Sequence, residues 1–199
     1  ATGVVWNRLY EPATRDRDSI IKKSLNALGI KAQSFSGMVM FEPWTVETGG
    51  GSYYRVYTPF WKAVRGRDVT LPLDAPDRIT APKIWPKSDI LANWDLGSAM
   101  NRGAGILRPY LCLGEAAAQQ RLKNFIEKDI VKYNELRDIP CLSATSGLSE
   151  NLTFGEISPA QCWHSGQMAL NDGATGAETF LKEVVWREFA YHLMYHTPH

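Results

Sequence analysis

Cysteine is scarce and badly placed for cross-linking. Cys112, Cys141 and Cys162 are odd in number and far apart in 199 residues. That argues against a disulfide framework and for a reducing compartment. No Cys-x-x-Cys or His-Glu-x-x-His spacing occurs, so the sequence offers no dedicated zinc site. No uninterrupted apolar run approaches the roughly 20 residues of a membrane span. Ala1-Thr2-Gly3 leads straight into an apolar stretch, without the basic start and small-residue cleavage site of a secretory signal. The expected setting is cytoplasmic, away from membranes. An excess of charge of one sign is also missing, since 22 Lys and Arg face 21 Asp and Glu for a net +1. The chain as a whole is then no generic polyanion binder, and nucleic-acid contact needs a local basic patch. The composition, 44% apolar and 22% charged, is globular and excludes disorder, collagen and low-complexity arrays.

Residues 4–9 are β-branched and aromatic and are read as a strand. Pro12 to about Leu28 is read as a helix, with Ile20, Ile21, Leu25 and Leu28 on one stripe and Gly29 as its stop. Residues 32–41 are read as a second strand, which makes strand–helix–strand, the pattern of a parallel α/β layer. Two strands and one helix are only a remnant of such a layer. In the irregular stretch that follows, Thr58 is expected to cap a short helix with Pro59 at its first position. Residues 70–88 hold Pro72, Pro76, Pro82 and Pro86, which suits an extended linker and a domain boundary. Beyond it the chain turns helical. Residues 114–134 carry apolar side chains at helical spacing, Ser158-Pro159-Ala160-Gln161 is a capping box, and Thr175-Gly176-Ala177-Glu178 reads as another, opening a helix to about Tyr195. The chain starts without methionine inside a strand-like stretch and stops directly after a helix. It is therefore read as an interior segment of something longer, with a domain trimmed of disordered tails as the alternative.

Three clusters can carry chemistry. Tyr133 and Arg137 are four apart and share a helix face, where phenol and guanidinium suit phosphate recognition; a solvated helix end is the plainer reading. Ala144-Thr145-Ser146-Gly147-Leu148-Ser149 offers hydroxyls, a permissive glycine and backbone N–H groups before a helix. It can cradle a phosphate or be an ordinary capped loop. Glu183, Trp186, Arg187 and Ala190 share a third face, which can grip a base by hydrogen bond, stacking and phosphate contact. A Glu–Arg pair beside a core indole is the plainer reading.

In this order, Tyr-x-x-x-Arg-Asp, then Ala-Thr-Ser-Gly-Leu-Ser-x-x-Leu-x-x-Gly-x-Ile-Ser-Pro, then Phe-Leu-Lys-Glu-x-x-Trp-Arg-Glu-Phe, the motifs resemble the photolyase/cryptochrome family, and most of all the bacterial cyclobutane pyrimidine dimer photolyases. Val5 to Pro12 with Arg17-Asp18, Val56 to Phe60, and Gly114-Glu115 with Arg121-Leu122 and Phe125 resemble further segments of the family, so the likeness runs the length of the chain. The resemblance implies an α/β remnant, part of a parallel-sheet antenna domain, followed by a mostly α-helical FAD-binding domain, incomplete at both ends. Residues 1–42 would be the C-terminal part of the antenna-chromophore domain, 43–101 the connector, and 102–199 the first part of the catalytic domain.

The resemblance also implies light-driven repair of cyclobutane pyrimidine dimers in DNA by reduced FAD, with a second antenna chromophore of folate or deazaflavin type and a monomer at full length. Tyr133, Thr145, Ser146, Gly147, Leu148, Ser149, Phe180, Glu183 and Arg187 match FAD-contacting positions. Glu183 and Trp186 match catalytic positions at the flipped-out dimer, and Arg137 a DNA-phosphate contact. Glu11 lies where some relatives contact a folate. The chain departs from the family's pattern at Ala160, where Arg is usual, and at Lys182, where Asn is usual. A cryptochrome-type blue-light receptor without repair activity, and an inactive segment without cofactor, stay open as alternatives.

Overall fold

The computed structural model describes residues 2–198. Strand β1 (Gly3–Asn7) and strand β2 (Lys31–Phe35) pair in parallel, from Gly3 opposite Lys31 to Asn7 opposite Phe35. Helix α1 (Pro12–Ala27) connects them, with Pro12 in its first turn, where no N–H partner is needed. The strand–helix–strand expected from the sequence is therefore present, but β2 stops six residues short of the expected end. The reason lies elsewhere in the chain: the N–H groups of Met40 and Phe41 donate to the Glu188 carboxylate instead of to a neighbouring strand. None of the side chains of α1 is buried, and Ile20 and Leu28 from its apolar stripe stand open to solvent.

The other elements are helical. They are α2 (Tyr57–Val64), α3 (Arg102–Leu107), α4 (Glu115–Lys128), α5 (Tyr133–Leu136), α6 (Ser149–Phe154), α7 (Pro159–Asn171) and α8 (Ala177–His196). The architecture is the small parallel α/β piece and mostly α-helical remainder expected. Helix α2 begins two residues earlier than expected, at Tyr57 after Val56, and no side chain caps it. The long helix expected to Asn134 ends at Lys128, and a 3-10 turn over Ile130–Lys132 leads into α5. The capping box of α7 forms as read: Gln161 N–H donates to Ser158 Oγ at 3.1 Å, and Ser158 N–H to Gln161 Oε1 at 2.8 Å. The second expected box does not form. Gly176 takes the cap position of α8, and the Thr175 hydroxyl donates to the Val131 carbonyl instead. Glycine is required there because a Cβ would lie 2.0 Å from the Ile130 carbonyl oxygen.

Helix α8 organises the core. Phe180 and Val184 join Phe125, Ile130, Tyr133, Leu148 and Ile157 in one apolar cluster. Leu181, Val185 and Phe189, on the adjacent face, join Phe41, Phe60, Trp61 and Trp163 in another. Each such side chain stabilises the fold by about 1.5–3 kcal/mol on burial. Residues 73–113 form a separate compact unit that holds α3 and has no buried residue, and residues 73–88 within it carry neither helix nor strand. Among the described residues, no helix is long and apolar enough to cross a membrane.

Candidate functional site

A cleft of about 550 Å³ opens between α5, α6, α8 and the loop before α6. Its wall includes Tyr133, Thr145, Ser146, Leu148, Ser149, Phe180, Glu183 and Arg187, eight side chains singled out from three separate sequence clusters. Helical periodicity explains the α8 contribution, since positions 180, 183, 184 and 187 recur on one face. Leu152, Thr153 and Val184 also line the cleft but were not anticipated. The signal for them was available in the same periodicity, one turn beyond Ser149 and one turn beyond Phe180. Gly147, Arg137 and Trp186 are not on the wall itself.

The loop is held by a residue that sequence reasoning placed only as a family match. Arg121 of α4 donates through Nη1 to the Gly147 carbonyl, to Glu150 Oε1 at 2.7 Å and to Asn151 Oδ1 at 3.0 Å. Asn151 is buried and donates in turn to Glu156 at 2.7 Å. Gly147 takes φ +60°, a left-handed conformation that glycine adopts without a Cβ penalty. The clamp presents Thr145, Ser146 and the start of α6 to the cleft, an arrangement of hydroxyl and backbone donors suited to an anion.

Beside the opposite wall, Arg137 forms an ion pair with the lining residue Glu183, and its guanidinium lies 5.5 Å over the Tyr133 ring. The hydrogen bond to Glu183 raises the Arg137 pKa further above its usual value. Burial raises the Tyr133 phenol above its usual value and keeps it a hydrogen-bond donor. Trp186 is 45% exposed and stacks flat on Tyr57, with ring centroids 3.7 Å apart and 7° between planes.

Arg187 reaches back to the α/β piece. Its Nη1 donates to the Met38 carbonyl, and its guanidinium lies 4.7 Å over Tyr191. Its Nη2 is buried with no hydrogen-bond partner. An unmatched buried donor costs about 1–3 kcal/mol.

A second, smaller cleft of about 270 Å³ lies between β1, α1 and the end of α8. Three cations on its walls stand over aromatic rings: Arg8 over Trp44 at 5.3 Å, Arg15 over Tyr195 at 4.1 Å and Lys22 over Trp6 at 5.7 Å. Glu11 is turned to its own helix and accepts from the Thr14 hydroxyl at 3.0 Å. No group of His, Cys, Asp and Glu able to hold a metal occurs among the described residues.

Residues 1–77 match the DNA photolyase family. The whole chain is 42% identical to a deoxyribodipyrimidine photo-lyase of Agrobacterium fabrum (strain C58), covering 100% of this chain and 42% of that protein. A protein of the same name from Synechococcus sp. (strain ATCC 27144) is 31% identical and is matched over 43% of its length by 100% of this chain. The crystal structure of a bacterial class III photolyase from Agrobacterium tumefaciens superposes with a TM-score of 0.93 at 42% identity, over 100% of this chain and 42% of that one. The chain thus spans less than half the length of these relatives.

Proposed function

The chain belongs to the DNA photolyase family, and from that membership we propose that the protein repairs cyclobutane pyrimidine dimers in DNA with light, by electron transfer from reduced FAD. The observation that carries the reading is the 550 Å³ cleft, where hydroxyl donors, a buried phenol and the Arg187 side chain converge. This donor set fits a flavin dinucleotide. Thr145, Ser146, Gly147, Leu148 and Ser149 with Tyr133 would hold its diphosphate and ribityl region, Phe180 would pack along it, and Arg187 would contact it from the cleft wall. Bound there, FAD supplies the light-driven one-electron chemistry.

The chain's own residues bind and orient the lesion. A dimer must leave the stack to reach the cleft, and a damaged step costs less to unpair. Trp186 offsets part of that cost by stacking on the extruded bases, worth about 1–3 kcal/mol per base. Glu183 accepts hydrogen bonds from the dimer. Its charge alone has the wrong sign for a dimer that gains an electron, and the Arg137 guanidinium balances it, a preorganised electrostatic role. Arg137 also meets a DNA phosphate.

In the same proposal, residues 1–42 belong to an antenna-chromophore domain, 43–101 to a connector and 102–199 to the FAD-binding domain. A folate or deazaflavin would sit in the second cleft, where Arg8, Arg15 and Lys22 suit its anionic groups and the rings suit its plane. The three widely spaced cysteines, odd in number, support a cytoplasmic protein, which we take to be a monomer.

The test is blue-light repair of a dimer-containing oligonucleotide by the full-length protein with its flavin content measured. Trp186→Ala should lower repair while flavin stays bound, and Glu183→Ala should lower repair per bound flavin. A flavin-loaded protein that leaves dimers intact under light would reject repair and favour a receptor role.

A further inference from the structure

Trp186 has two ring faces, and the structure assigns one of them. The Tyr57 ring covers it at 3.7 Å and 7°. Tyr57 is fixed on two sides. Its hydroxyl donates to the Lys182 carbonyl at 2.6 Å, the same carbonyl that the Trp186 N–H reaches four residues on in α8. Phe189 meets its edge, with ring centroids 5.9 Å apart. Behind it, Phe60, Trp61 and Val64 bury the rest of α2 in the core. Burial and the nearby Glu183 carboxylate raise the Tyr57 phenol above its usual pKa, so it stays a neutral donor. The indole rotamer is thus set by an aromatic wall that comes from 129 positions earlier in the chain, and the remaining indole face is left open to solvent.

We propose that Tyr57 is a positioning residue for lesion recognition: it locks Trp186 flat, so that an extruded dimer meets a rigid two-ring platform with a single open face. This rests on the reading of Trp186 as the lesion-stacking residue. Rigidity matters because a free indole loses rotamer freedom when a base stacks on it, whereas a pre-stacked one has already lost it. Stacking of an aromatic pair adds about 0.5–1.5 kcal/mol beyond area burial. The preference for damaged over intact DNA therefore depends on Tyr57 although Tyr57 itself stays behind the indole.

The experiment measures the ratio of affinities of the full-length flavoprotein for dimer-containing and intact duplexes. Tyr57→Leu should lower that ratio by roughly two- to tenfold. Tyr57→Phe keeps the ring and should retain most of the ratio, and both should leave affinity for intact duplex and flavin content unchanged. In a Trp186→Ala background, Tyr57→Leu should have no further effect on the ratio, since the two act as one unit. If Tyr57→Leu fails to fold, Tyr57→Met keeps the apolar volume without a flat face and carries the same expectations. Equal loss on both duplexes, no change in the ratio, or full additivity with Trp186→Ala would overturn the proposal. If instead Trp186→Ala itself leaves the ratio intact, the lesion-stacking reading has failed, and that result is distinct from a failure of Tyr57.

Discussion

Replacing Glu188 by glutamine should stabilise the protein at alkaline pH and leave it nearly unchanged in acid. The Glu188 carboxyl is 3% exposed. One oxygen accepts from Met40 N–H at 2.7 Å and Phe41 N–H at 3.1 Å; the other has no hydrogen-bond partner and lies 3.7 Å from Arg187 Nη1. Burial outweighs the two N–H groups and Arg187 and moves the carboxyl from its usual 4.5 up to about 7. The folded state therefore favours the protonated acid by about 3 kcal/mol. With the folded pKa raised, this stabilisation is complete below 4.5 and is lost as pH rises through about 7. His192 has the opposite sign. Burial lowers it from 6.5 to about 4, so its contribution is complete above 6.5 and is lost as pH falls through about 4. The two trends oppose each other, so the wild-type profile alone will look flat. The difference between wild type and Glu188→Gln isolates the carboxyl, because glutamine keeps an oxygen for Met40 and Phe41 without titrating. Thermal melts of both proteins from about pH 4 to about pH 8 should show a gap that opens with pH. At about 2–4 °C per kcal/mol it reaches roughly 6–12 °C in favour of the variant. A gap independent of pH, or a variant less stable at the alkaline end, would refute the reasoning.

Three further outcomes are expected. Trp186→Ala should weaken binding to dimer-containing duplex by about 1–3 kcal/mol and spare intact duplex, whereas Arg137→Ala should weaken both and reduce the salt slope by about one, read from titrations at two salt concentrations. Arg121→Ala frees the loop at Gly147 and should reduce the flavin retained through gel filtration, with the Glu183–Arg137 wall left in place. Gly176→Ala places a methyl group against the Ile130 carbonyl and should cost about 1–3 kcal/mol or more in a denaturant melt.

Local chemistry made much of the fold legible. Ser158, Pro159 and Gln161 announce the start of α7 by themselves, because a capping box is closed by residues three apart. The same logic misled at Thr175, where the hydroxyl had a better acceptor in Val131, reached only through the packing of α8 on the 130–133 turn. The end of β2 was illegible for a similar reason, since Glu188 lies 148 positions from Met40. At the cleft, residue types and helical phase pointed to Tyr133, Glu183 and Arg187. The pairing of Arg137 with Glu183, the Arg121 clamp and the Tyr57 ring behind Trp186 join distant segments, and neither pattern nor spacing encodes them.

The attachment of Met40 and Phe41 to Glu188 also has a meaning in time. Synthesis runs at about 5–20 residues per second, so roughly 7–30 s separate the emergence of Met40 from that of its anchor. Throughout that interval the β1–α1–β2 piece is outside the ribosome with Phe35 and Ile20 uncovered and the end of its second strand untethered. A parallel strand pair of this size is marginal by itself. The link from Met40 and Phe41 to Glu188 therefore closes only after α8 has been made.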